Sequence, residues 1–92
     1  MPELVHEHTT HVRTGQGLTY IARTFGARML EGDGDRWEGW IEFEPLGHRG
    51  PVLSTDRETT QANRHELEQW AAGLEPIYIA GAFTRARVMA PQ

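Results

Sequence analysis

The chain has 92 residues, a formal net charge of −4 and no cysteine. That length admits one domain with a thin core. The acidic balance argues against a general nucleic-acid binder, and the missing thiols exclude disulfides, thiolate catalysis and cysteine-ligated metal centres. With 10 Gly and 5 Pro, the chain expects many turns, which suits a sheet better than a helix bundle. No N-terminal apolar run resembles a signal peptide, and no stretch approaches the length of a membrane span. The expectation is a cytoplasmic protein without membrane contact.

Residues 1–17 are polar and mixed, and end in Gly15-Gln16-Gly17. They read as a flexible arm, with a short edge strand at Leu4–Val5 or at Val12. Segment 18–31 fits either a helix or a strand. Leu18, Ile21, Ala22, Phe25 and Met29 suit a helical period, whereas Ile21, Arg23, Phe25, Ala27 and Met29 suit one face of a strand. Context favours the strand, because Gly32-Asp33-Gly34-Asp35 is a strong turn signal and the residues beyond it alternate. Gly26 then marks a bulge or bend.

Beyond the turn, Trp37, Gly39, Ile41 and Phe43 share one strand face, which reads as core. Glu38, Trp40, Glu42 and Glu44 share the other, a carboxylate stripe holding one tryptophan. Arg23 and Arg28 are candidates to meet that stripe across the hairpin. Pro51–Ser54 reads as a short third strand. A helix follows, with Asn63 and Glu66 as a capping-box pair and Leu67, Trp70, Ala71 and Leu74 as its apolar stripe. Gly73 suits a left-handed C-terminal position, and Pro76 stops the helix. Ile77–Ala80 reads as a fourth strand, with a second helix from Pro76 as its competitor. The tail 89–92 is expected to fray.

The fold class expected is thus α+β: an antiparallel three- to four-stranded sheet with one amphipathic helix on one face, in the order β-β-β-α-β. Residues 18–88 form the single domain.

The blocks Trp37–Phe43, Arg57–Gln61, Leu67–Leu74 and Tyr78–Phe83 resemble those of a group of small, mostly bacterial hypothetical proteins, in the same order. That group has no established activity. The resemblance spans roughly residues 20–86 and implies a natural, complete single-domain protein. The element order is also similar to the partial ribonuclease-H-like domain of HicB-type antitoxins, which implies an antitoxin-like regulator as one alternative function.

Several residues are candidates for chemistry. His6, His8 and His11 form a cluster of imidazoles, ligands that suit zinc, copper or nickel; the competing reading is a solvated polar arm. Pro2 would become an N-terminal amine once Met1 is removed, but the residues after it do not make the helix that tautomerase chemistry uses. Glu38, Glu42 and Glu44 are spaced for paired-carboxylate chemistry, yet an open sheet face would not tune them. Arg57, Thr59 and Thr60 precede the helix and suit an anion or a helix cap. Trp40, Arg85 and Arg87 suit a contact patch. No catalytic triad, metal box or cofactor fingerprint is present, so no cofactor is expected and an enzyme is disfavoured. The first reading is a small binding or accessory module that meets a protein partner or a second copy of itself through a sheet edge or the Trp40 face. A metal-binding protein built on the histidines is the other alternative.

Overall fold

The computed structural model describes residues 1–30 and 35–90. Among these the chain runs β1 (Glu3–Arg13), β2 (Thr19–Arg28), β3 (Trp37–Leu46), β4 (Leu53–Ser54), β5 (Thr59–Gln61), α1 (Arg64–Ala72) and α2 (Pro76–Met89). The strands make one antiparallel sheet, and the helices follow it in an α+β fold.

The hairpin β2–β3 is the regular part. Its register is unbroken from Thr19–Leu46 to Arg28–Trp37. The Met29 N–H bonds the Arg36 carbonyl at 2.8 Å beyond the last pair. Of the expected turn, Gly32, Asp33 and Gly34 lie outside the described residues. Parity sorts the side chains as read: Trp37, Ile41 and Phe43 are buried, as are Ala22 and Thr24 opposite them.

The expected bulge at Gly26 is absent. Gly26 instead pairs in register with Gly39, and the two glycines make a notch for Leu67 of α1. A Cβ on Gly39 would stand 2.6 Å from Leu67 Cδ1, and a Cβ on Gly26 would also collide with Leu67. Side-chain-free backbone is what lets the helix approach this closely.

The helix α1 begins where the cap predicts. Asn63 Oδ1 accepts the Glu66 N–H at 2.9 Å. Leu67 and Ala71 are buried, with Trp70 and Leu74 half-buried beside them. Gly73 ends the helix with φ −88°, so its conformation is right-handed and not the expected left-handed one.

Three elements depart from the expected order. The arm at 1–17 is largely strand, because β1 hydrogen-bonds along β2 over nearly its whole length. Two register irregularities, between Leu4 and His6 and between Glu7 and His11, break its alternation. Its inward residues are therefore Val5, His8 and Val12, a spacing that does not read as a strand. Segment 59–61, expected to lead into the helix, pairs with Trp37–Gly39 as β5. It lines the same edge of β3 as β4, with Thr55–Glu58 stepping between them. The segment expected as a fourth strand at 77–80 is helical, part of α2. Pro76 opens α2, since its fixed φ suits the first helical turn. Ile79, Ala82, Phe83 and Ala86 follow the helical period and pack on Ala22, Ile41, Phe43 and Leu53.

Candidate functional site

Both helices pack on the face of the sheet that carries Phe43 and Leu67's notch. Among the described residues no helix lies on the opposite face. Strand parity decides which side chains stand there, and cross-strand register arranges them in rows.

The central row is apolar. Leu4 of β1 pairs with Phe25 of β2, which pairs with Trp40 of β3. Phe25 and Trp40 are half-buried, and Leu4 is exposed. On one side runs a charged row, Glu7–Arg23–Glu42. The Arg23 guanidinium donates to Glu7 Oε1 at 2.8 Å and also to Glu44. Those carboxylates, Glu7 first, raise the Arg23 pKa above its ordinary value. Trp40 Nε1 donates to Glu42 Oε2 at 3.0 Å, which fixes the indole along the strand. On the other side, Ala27, Glu38 and Thr60 form a third row. Arg57 reaches Glu38 from the rim at 3.7 Å.

Of the residues singled out in the sequence, Trp40 and Thr60 therefore stand on this open face, with Arg57 at its rim. Thr59 does not: it pairs with Gly39, on the covered side, and its hydroxyl accepts from Gln61 Nε2 at 2.6 Å. The suggested anion site at 57–60 loses its basis, because Thr59 and Thr60 belong to β5 and the helix starts only at Arg64. Arg85 and Arg87 lie on α2, across the sheet from Trp40, so the three do not form one patch. Arg85 binds the Glu58 carboxylate, which also accepts the Tyr78 hydroxyl at 2.6 Å. Burial, with that carboxylate second, pushes the Tyr78 pKa up to about 12. Arg87 lies over the Phe83 ring, 5.6 Å from its centroid. The two Glu58 contacts tie the 55–58 step to α2.

The histidines divide as well. The His8 ring is buried and its Nε2 lies 2.7 Å from Thr24 Oγ1. Burial, and then the nearby His6, lower its pKa to about 4. His6 stands edge-on to it at 4.7 Å between ring centroids, while His11 is exposed. Among the described residues no group of three or more His, Cys, Asp or Glu side chains could hold a metal ion.

No family model, curated protein or solved structure matches this chain. The open face stands on its geometry. Phe25 and Leu4 are the residues that sequence reading missed there. Phe25 was visible by parity, once its strand was accepted. Leu4 required the β1 register, which no local pattern shows. Among the described residues no helix is long and apolar enough to cross a membrane.

Proposed function

We propose that this chain is a small cytoplasmic binding module that holds a protein partner on its open sheet face. The observation that supports this is the Leu4–Phe25–Trp40 row, left without a covering element while both helices crowd the other side. Aromatic side chains in such a position are typical anchors of protein contacts. The sheet edges are poorer candidates. β1 is interrupted by two irregularities, and the far edge is divided between the short strands β4 and β5. Interrupted and short edges resist strand addition.

Charge selects the partner's chemistry. The face carries Glu7, Glu38, Glu42 and Glu44, against Arg13 and Arg23 within it and Arg57 at its rim. A second copy would set acidic faces together. A partner that presents an apolar strip flanked by lysine or arginine is complementary.

The test uses a synthetic strand-forming peptide that alternates leucine and lysine, with a leucine–glutamate peptide of equal length as control. The lysine peptide is expected to shift the Trp40 indole N–H resonance and leave those of Trp37 and Trp70 in place. Trp40→Ser should abolish the interaction, and Glu42→Gln should weaken it. Equal binding of both peptides, or binding of neither, would show the reading to be wrong.

A further inference from the structure

A hollow of about 400 Å³ lies at one end of the open face, lined by Arg28, Met29, Leu30, Glu38 and Arg57. Ligand sites usually span about 300–1,000 Å³. Register explains why the surface dips here. Glu38 stands between Ala27 of β2 and Thr60 of β5, whose side chains are short. Trp40 is two residues along the same strand, about 7 Å away, so the hollow adjoins the Leu4–Phe25–Trp40 row. The lining joins two kinds of surface. Met29 and Leu30 are apolar, and Leu30 is 94% exposed. Glu38 and Arg57 bring a carboxylate and a guanidinium to 3.7 Å, which is longer than a hydrogen bond.

A second carboxylate–arginine pair in this chain shows what such a pair can hold. Glu58 and Arg85 form an ion pair beside α2. The Tyr78 hydroxyl donates to the same Glu58 oxygen at 2.6 Å, and the Arg85 guanidinium lies 5.6 Å from the Tyr78 ring centroid. The Trp70 ring packs against Tyr78 at 6.0 Å. The carboxylate takes the phenol proton, the arginine covers the ring, and an apolar neighbour completes the site. An arginine paired with a carboxylate keeps its planar face available to a ring. The Glu38–Arg57 pair therefore prepares the hollow without filling it.

Among the described residues Arg64, Arg85 and Arg87 lie over aromatic rings, and Arg57 is not one of them. Both tyrosines of the chain are placed elsewhere, Tyr20 against Phe83 and Tyr78 on Glu58. We infer that the hollow takes a tyrosine side chain of the partner, its hydroxyl donating to Glu38 and its ring lying between Met29 and Arg57. A thioether attracts aromatic rings as well. Other side chains fit worse. A phenylalanine would cover the Glu38 carboxylate without a hydrogen bond. A lysine would face two guanidinium groups, and an acidic side chain would face Glu38. That the tyrosine belongs to the partner rests on the open-face reading above, whereas the preference of the hollow for a phenol does not.

Carbon-13 methyl spectra of the full chain test this, because the chain has only 3 methionines. The probes are N-acetyltyrosinamide, N-acetylphenylalaninamide and N-acetyllysinamide. The tyrosine amide should move the Met29 methyl signal upfield, with a Kd of about 1–10 mM, and leave those of Met1 and Met89 in place. The phenylalanine amide should bind about fivefold more weakly, and the lysine amide should not bind. Glu38→Val should erase the difference between tyrosine and phenylalanine. Arg57→Lys keeps the charge but loses the planar face, so it should weaken tyrosine binding about threefold. An unchanged Met89 signal shows that each variant is folded. A tyrosine added to the leucine–lysine peptide, tried at each end, should tighten its binding about fivefold at one of them. No Met29 shift, equal binding of tyrosine and phenylalanine, indifference to both variants, or no gain at either peptide end overturns the inference. Binding of the tyrosine amide without binding of any leucine–lysine peptide overturns the open-face reading and leaves the phenol site standing.

Discussion

Phe43 and Phe25 stand on neighbouring strands of one sheet, and their surroundings differ completely. Phe43 is fully buried, with the Phe83 ring of α2 at 5.1 Å between centroids. Phe25 lies between Leu4 and Trp40 on the face that no helix covers. Trp37 and Trp40 repeat the contrast within a single strand: the first is 7% exposed, while the second is half-buried among carboxylates. One face of the sheet holds the fold together, and the other presents side chains outward. The hydrophobic effect rewards only area removed from water, so identical residues contribute unequally on the two faces.

The largest test of that contrast is the pair of phenyl deletions. Phe43→Ala should cost about 3–5 kcal/mol, the usual loss for a buried ring. Phe25→Ala should cost about 1 kcal/mol or less, as for a residue outside the core. Urea unfolding of both variants measures the difference, and equal losses would mean that the open face is not open.

The glycine notch sharpens the comparison from the covered side. Gly39→Ala pushes a methyl into Leu67, so overpacking should destabilise by about 1–3 kcal/mol. Combining it with Leu67→Ala should recover part of that loss, because the two groups compete for one space.

His8 belongs to the covered side as well, and it couples that side to pH. Its folded pKa of about 4 lies below the ordinary 6.5. Between those values the unfolded chain binds a proton that the folded chain refuses. The stabilising contribution is therefore complete above pH 6.5 and falls as pH drops toward 4. A loss of about 2–3 kcal/mol across that window is expected from the size of the shift. His8→Gln should flatten the slope, which thermal melts at pH 7, 5.5 and 4 would show. An unchanged slope would place the acid sensitivity elsewhere.

The smallest effect is expected on the open face. Trp40→Ser should shift stability by about 1 kcal/mol or less and leave the secondary structure intact. A cooperative loss of structure would mean that Trp40 supports the fold.

The legible features were those governed by short-range rules. Parity through Trp37–Glu44 assigned both faces of β3, and Asn63 with Glu66 located the start of α1. Trp40 was visible as the odd residue in a carboxylate stripe, and the opposed Arg23 was within reach of it. Other features were set by partners distant in sequence. The β1 strand was hidden because its two irregularities disrupt the alternation that betrays a strand, and because His8 takes a place that an aliphatic residue would have advertised. Segment 77–80 carries strand-forming residues, yet the helical period of Ile79, Ala82, Phe83 and Ala86 prevails because the sheet supplies a surface for them. Thr59 and Thr60 looked like helix caps until β3 offered its free edge.

By itself, then, the sequence determined the β2–β3 hairpin, the extent of α1, the core parity of Trp37, Ile41 and Phe43, and the acidic setting of Trp40. Each follows from alternation, capping or composition within a few neighbouring residues. Tertiary structure alone decided that residues 3–13 form an edge strand, that residues 76–89 form α2, and that both helices choose one face. Those outcomes rest on backbone groups and apolar surfaces brought together from distant parts of the chain. They are also what leaves Leu4, Phe25 and Trp40 aligned on the face that remains open.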